Sequence, residues 1–369
     1  MPGSVYSALA HRLARTSGPV YPLHVGDTWM APPAGCRMED LTEDEYPGLH
    51  RYAEPQGRRD LLAALAQRTT ERSGLATTTD EILVAAGATG ALGALAGALV
   101  DPGDEVLILA PYWPLIAGIV RSFGGAPVAV PFIGEVDSAE TAVAAVEAAR
   151  TQRTVALYVS TPNNPSGKVI PGPWLGALAR WCQEHDLWLI ADEVYEDYVY
   201  TGEHTYSRPL APERTFASHS FSKAYGMAGN RCGYVVGPAP MMGELRKVST
   251  HTFYSTPTAS QVAALRALTL GADWVAQARV KYQELGRTSA ERLGLDPPEG
   301  STFLFLDVAD ALDGRGLGGF LEDCAERGLF LAPGPSFGPY PTHVRICFTA
   351  ATPEIVEAGV ETLAQLIGR

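Results

Sequence analysis

The sequence predicts an α/β protein: a large domain with a mainly parallel sheet between helices, plus a smaller α+β domain from the C-terminal third and the N-terminal segment. Three observations predict it. From about residue 80 to 235, short apolar runs alternate with helix-like segments, the pattern of a parallel sheet covered on both faces with right-handed crossovers. In the last third, a long amphipathic stretch precedes short strands mixed with helices. The chain has 369 residues, 46% hydrophobic and 19% charged, which suffices for two cores.

The elements follow in order. Residues 1–40 are rich in Pro and Gly and read as an N-terminal arm and inlet loop packed with the small domain. Residues 41–240 form the large, ligand-binding domain. Its strands are "EILVAAG", broken at Gly87, then "DEVLILAP" (104–111), "APVAVPF" (126–132), "TVALYVSTP" (154–162), "LWLIADEVY" (187–195) and "CGYVVGP" (232–238). Between two of these, "PGPWLGALARWCQEHD" (171–186) opens on Pro and carries apolar residues at helical spacing. Residues 241–369 form the small domain, with an amphipathic helix over 272–295 and strands in "STFLFLDV" (301–308), "GLFLAPG" (328–334) and "HVRICFTA" (343–350).

Composition narrows the function. A net charge of -13 and a pI near 5.1 argue against nucleic-acid and anionic-membrane partners. Cys36, Cys182, Cys232, Cys324 and Cys347 are scattered, without a C-x-x-C pair; this suits a reducing cytoplasm and neither a disulfide framework nor a zinc site, and no metal is expected. The first twenty residues lack the apolar core of a signal peptide. The uncharged stretch 82–100 is long enough for a membrane span, but its Ala/Gly content and the break at Gly87 predict strand, tight turn and helix.

Ligands of open α/β sheets bind beyond the carboxyl ends of the strands, so the residues just after each apolar run are the candidates. Gly87, Ala88, Thr89 and Gly90 open a helix whose free N–H groups suit an anion. Trp113 follows the next run, Asn164 stands in "TPNNPSG", and Asp192 ends "LWLIAD" with Tyr195 three residues on. "RTFASHS" leads into Ser220, Ser222 and Lys223, with Arg231 eight positions later and no acidic residue between 218 and 234. Singly each has an ordinary reading: Trp113 and Tyr195 pack, Asn164 forms a turn, Asp192 caps, Lys223 is solvated, Arg231 pairs with an acid, and Arg345 points outward from an edge strand. Jointly they supply a phosphate cradle (Gly87, Ala88, Thr89, Ser220, Arg231) and a flat aromatic (Trp113). They also supply a carboxylate for a protonated ring nitrogen (Asp192), two partners for a phenolic oxygen (Asn164, Tyr195) and one imine-forming amine (Lys223). A phosphorylated pyridine aldehyde uses all of them.

These segments resemble the class I/II pyridoxal-phosphate-dependent aminotransferases of fold type I. "SFSKAYGMAGNRCG" is similar to that family's serine-x-serine-lysine…arginine-x-glycine segment, "NNPSG" to its Asn-Pro-Thr-Gly turn and "ADEVYEDY" to its aspartate-to-tyrosine strand end. "HRYAEPQGRRDL", "GATGAL", "PYW" and "HVRICF" match further segments in order, over about residues 24–350. The resemblance implies that Lys223 forms the Schiff base with pyridoxal 5′-phosphate, Asp192 pairs with the ring nitrogen, Tyr195 and Asn164 bond the ring oxygen, and Trp113 stacks on the ring. Gly87, Ala88, Thr89, Ser220 and Arg231 would hold the phosphate, and Ser222 would also contact the cofactor. Tyr52 would reach the cofactor of a partner subunit, implying a homodimer with shared sites. Arg345 would fork onto the substrate carboxylate near Gly26, a bidentate task that lysine performs poorly.

The activity so implied is a ping-pong transfer of an amino group between an α-amino acid and a 2-oxo acid. The alternative is another reaction of the same cofactor on this fold, namely β/γ-elimination, cyclisation or oxidation of an amino acid. A non-catalytic regulator with such a body would carry a helix-turn-helix domain, for which there is neither spare length nor a basic patch. Ser166 stands where the family has Thr, Asn230 and Cys232 where it commonly has an aromatic and an aliphatic, and "MAPPAGCRMEDL" (30–41) is unusual. For the substrate side chain, Arg37 and Arg51 are the candidate partners of a second carboxylate, while Trp29 and Tyr254 would favour a larger apolar group. Lys223 must be neutral to act, so its surroundings should depress its proton affinity.

Overall fold

The structure, a computed structural model, describes residues 18–369. Helix α1 (Arg59–Ser73) ends on Gly74 in the left-handed region and leads to strand β1 (Ile82–Ala85). Then follow α2 (Gly87–Leu99), β2 (Glu105–Ala110), α3 (Pro114–Ser122), β3 (Ala126–Pro131), α4 (Ala139–Ala149), β4 (Thr154–Ser160), α5 (Gly172–Glu184) and β5 (Trp188–Asp192). Next come β6 (Thr215–Ser220), the one-turn α6 (Phe221–Ala224), β7 (Gly233–Val236), α7 (Ala239–Thr252) and α8 (Thr258–Leu270). The chain closes with α9 (Ala272–Arg292), β8 (Phe303–Asp307), α10 (Gly316–Glu326), β9 (Ala332–Pro333), β10 (His343–Cys347) and α11 (Pro353–Leu366). The stretch 82–100 is β1, turn and α2, and among the described residues no helix is long and apolar enough to cross a membrane.

The large sheet has the order β1-β7-β6-β5-β4-β2-β3. Strands β2 to β6 run parallel, and β7 lies antiparallel between β6 and β1. Alternation explains why its strands read as unbroken apolar runs. Ile108, Tyr158, Ile190 and Phe216 pack under α2, α3 and α7, while Leu107, Leu157 and Leu189 pack under α4 and α5. Each such fully buried Leu or Ile contributes roughly 1.5–3 kcal/mol.

One strand of this sheet escapes the apolar-run criterion. β6 is "TFASHS", whose Thr215, Ser218 and His219 are buried although polar. The run at 328–334 also forms less strand than expected, only Ala332–Pro333. Its earlier residues are paired elsewhere: Tyr21 N–H donates to Gly328 O at 2.8 Å, and Phe330 N–H donates to Tyr21 O at 3.0 Å. The N-terminal segment thereby lies on the second core, where Leu23 joins Tyr282, Leu285, Ile346 and Leu363 from α9, the β8-β10-β9 sheet and α11. The first seventeen residues of the expected arm lie outside the described residues. Helix α7, which spans residue 240, and α8 pack on α2 and α1, and the second core draws on α9 and later elements together with Leu23, Tyr198 and Tyr200.

Candidate active site

The carboxyl ends of β1, β2, β4, β5 and β6 open on one edge of the sheet, together with the start of antiparallel β7. A cavity there is lined by Gly26, Ala88, Thr89, Trp113, Asn164, Asp192, Tyr195, Ser220, Ser222, Lys223, Arg231 and Arg345. Twelve positions chosen from sequence thus meet in one place, joined by Leu92, Val194 and Ala228. Those three have a retrospective signal. Leu92 lies one helical turn after Thr89, Ala228 three residues before Arg231, and Val194 beside Tyr195.

Backbone geometry builds the anion end. Ala86 precedes α2 without a side-chain cap, so the first N–H groups of that helix have no side-chain acceptor at its N-cap. Gly87 has φ 71°, and a Cβ there would lie 2.5 Å from Arg231 Nη2. A Cβ on Gly233 would lie 2.7 Å from the Gly87 carbonyl carbon and 2.8 Å from Ala88 N. Glycine at both positions lets the β1–α2 turn, the start of β7 and the Arg231 guanidinium close on each other. Arg231 itself has φ 53°, unusual for a non-glycine residue, and donates to Ala228 O (2.8 Å) and Ala86 O (3.3 Å). Ser220 caps the short α6, its Oγ accepting from Ser222 N–H at 3.1 Å and donating to Ser222 Oγ at 2.9 Å.

Lys223 leaves α6 toward the loop of Gly26, to whose carbonyl oxygen its Nζ donates; Asp27 Oδ1 lies 3.9 Å away. Burial lowers its proton affinity, and Arg345 and Arg231 push the same way while Asp27 opposes them. The direction is the one expected of an amine that must be neutral.

The acidic run after β5 explains which carboxylate faces the cavity. Glu193 accepts from Ser207 N–H at 2.8 Å and lies 3.6 Å from His204 Nε2. Glu196 lies 3.3 Å from both His219 Nδ1 and Arg72 Nη1. Asp197 takes Arg72 at 2.6 Å and Arg68 at 3.1 Å. Asp192 is the exception: it has no ion pair among the described residues, and its Oδ1 is buried without a hydrogen bond. Its Oδ2 accepts from the Tyr158 hydroxyl at 2.7 Å. Burial raises the Asp192 carboxyl to about 6, against the Tyr158 hydroxyl and the Val194 N–H.

The "NNPSG" turn divides its two asparagines. Asn163 is internal, accepting from Ser166 N–H and from the Ser166 hydroxyl at 2.7 Å; that contact needs an oxygen and not a methyl, so Ser in place of Thr keeps it. Asn164 faces the cavity and accepts at Oδ1 from Arg345 Nη1 at 3.0 Å, which fixes its amide orientation. Arg345 is buried, with Nη2 donating to His24 O at 2.7 Å and its carbon lying 4.4 Å from the Phe303 ring centroid and 4.9 Å from that of Phe337. It is thus no outward-pointing edge-strand residue. Tyr195 is buried edge-on to Phe303, and Trp113 is half-buried at the start of α3.

Several candidates lie elsewhere. Tyr52 is 87% exposed and touches Tyr254 at 5.0 Å between centroids. Trp29 packs on Tyr282 in the second core, and Arg37 is bound to the Pro32 carbonyl. Trp29, Tyr254, Arg37 and Arg51 are absent from the cavity lining, so none of them shapes it within one chain.

A family model described as aminotransferase class I and II matches residues 31–363. A probable aspartate/prephenate aminotransferase of Thermus aquaticus is 36% identical over 87% of this chain and 84% of its own length. The arginine–pyruvate transaminase of Pseudomonas aeruginosa is 32% identical over 91% of this chain and 87% of its own. Among solved structures, a tetra-mutant of Thermus thermophilus aspartate aminotransferase complexed with tryptophan superposes with a TM-score of 0.91 at 33% identity, covering 99% of this chain and 97% of that one.

Proposed function

The chain belongs to the class I and II aminotransferases, and from that premise we propose that it moves amino groups between an α-amino acid and a 2-oxo acid with pyridoxal 5′-phosphate held by the residues of this cavity. The transferase activity comes with the family; the cofactor, the roles of the residues and a homodimer are our reading. The observation that carries it is Lys223, a half-buried amine with lowered proton affinity, in a cavity that also contains the one acid of the β5 end without an ion pair among the described residues. Two further features support the fit. The orphaned Oδ1 of Asp192 suits a protonated ring nitrogen, and the glycine-lined turn under Arg231 suits a phosphate.

When bound, the cofactor supplies an electron sink for the bond broken at the substrate's Cα. The protein's own groups do the rest. The Arg345 fork binds the substrate α-carboxylate, already aligned by Asn164 and the two phenyl rings. Lys223 Nζ, in the neutral form that its lowered proton affinity favours, accepts the Cα proton and returns it on the other side of the transfer. Asp192, ionised, would accept a hydrogen bond from the ring N–H. Thr89, Ser220, the N–H groups of α2 and Arg231 would hold the phosphate. Trp113 would lie against the ring and exclude water. Tyr52, exposed in one chain, is reserved for the neighbouring subunit's cavity. The scattered, free cysteines among the described residues suit a reducing, cytoplasmic location.

Borohydride treatment of the purified protein with the cofactor should leave a reduced adduct on the peptide carrying Lys223, identified by mass. Lys223→Ala should lose both adduct and turnover. Mixing enzyme, amino acids and an oxo acid should yield a new amino acid; ammonia released without one would point to a lyase instead.

A further inference from the structure

Tyr158 has no part in the reading above, yet its hydroxyl touches the key acid. It is fully buried in β4, opposite Ile190 in register and on the sheet face shared with Ile108 and Phe216. A phenol oxygen in such an apolar layer is unfavourable unless bonded, and phenylalanine would fill the same space. The hydroxyl has one acceptor to justify it, Asp192 Oδ2 at 2.7 Å. Tyr158 does not line the cavity, whereas Asp192 does, and the second oxygen, Oδ1, has no hydrogen bond.

We propose that Tyr158 is a positioning residue: by holding Oδ2 from behind, its hydroxyl orients the Asp192 carboxylate so that Oδ1 is presented to the ring nitrogen, and keeps that carboxylate ionised. The inference rests on the reading that Asp192 pairs with this nitrogen. The other groups bearing on Asp192 do not substitute for the contact. The Val194 N–H and His219, from β6, favour its charge, Glu193 disfavours it, and Lys223 faces the same cavity from α6. His219 is itself engaged by Glu196 and stacked on Tyr234 at 4.8 Å.

The test uses the apoprotein, titrated with pyridoxal 5′-phosphate and with its 1-deaza analogue, in which carbon replaces the ring nitrogen. Tyr158→Phe should weaken binding of the natural cofactor ~10-fold or more, the scale of a lost hydrogen bond to a charged group, while the deaza analogue binds as to wild type. The pH midpoint for cofactor affinity should move upward. Equal weakening of both ligands, or no change in either, would overturn the proposal. Tyr158→3-fluorotyrosine keeps shape and hydroxyl and only strengthens the donor, so its pH midpoint should move downward; an unmoved midpoint counts against Tyr158 even if the phenylalanine variant fails to fold. Asp192→Asn, measured alongside, should erase the preference for the natural cofactor. A wild-type protein with no such preference overturns the reading of Asp192 and the proposal together, whereas a preference that survives Tyr158→Phe in full overturns Tyr158 alone.

Discussion

Arg345 Nη1 donates to Asn164 Oδ1 at 3.0 Å, joining strand β10 of the small sheet to the turn after β4 of the large one. Both acceptors of its fork, Asn164 and the His24 carbonyl, are uncharged. Among the described residues no carboxylate neutralises this buried cation, an arrangement that is unfavourable until an anion arrives. Arg345→Lys keeps the charge but loses the fork. The Michaelis constants for amino acid and oxo acid should both rise ~10- to 100-fold, with cofactor affinity unchanged. Steady-state kinetics would detect this, and unaltered constants would remove Arg345 from the substrate site.

Asp192 is costly to the empty protein. Its carboxyl is raised from 3.8 to about 6 by burial. Between those values the folded state holds a proton that the unfolded state has released, so stability falls as pH rises through this window. The penalty is complete above about pH 6 and absent below about pH 4, and two units correspond to roughly 3 kcal/mol. Asp192→Asn should therefore melt higher than wild type as apoprotein at pH 7.5, with the gap closing toward pH 4, and should be inactive. Calorimetry across pH would show it; a variant less stable at every pH would contradict the assignment.

The opposite holds one turn further along the chain. Glu196 and Asp197 are buried and matched by Arg68 and Arg72 from α1. Arg68→Ala leaves two buried carboxylates sharing one guanidinium and should destabilise the fold by roughly 3–5 kcal/mol. Urea unfolding would measure it, and a loss below ~1 kcal/mol would mean that water reaches these acids.

These two cases mark how far the sequence could be read. Cavity residues were legible because parallel strands deliver their carboxyl ends to one edge, so Thr89, Asn164, Asp192 and Lys223 could be aligned without knowing a single contact. Strand β6 was not legible, because its buried Ser218 and His219 are tolerated only through partners such as Glu196 that tertiary folding supplies. Tyr158 read as one more apolar position in "TVALYVS", since nothing local marks a hydroxyl that bonds 34 residues away. Trp29 read as an aromatic that would favour a larger apolar substrate group, but the chain turns it toward Tyr282. Pattern locates an edge; it does not say which way a loop side chain faces.

Gly87 offers the last test. Any L-residue at φ 71° is strained, by about 1–2 kcal/mol, and its Cβ would meet Arg231 Nη2 at 2.5 Å. The obstructing atom is the end of a long side chain, so Gly87→Ala should still fold, with the guanidinium displaced from the β1–α2 turn. In the proposed reading that guanidinium holds the cofactor phosphate. Affinity for pyridoxal 5′-phosphate should fall ~10-fold or more, while affinity for pyridoxal, which lacks the phosphate, should hold to within ~2-fold. Arg231→Gln should reproduce the same split with an intact glycine. Apoprotein titrations with the two ligands distinguish the outcomes: parallel losses would locate the damage in the ring pocket and not at the turn.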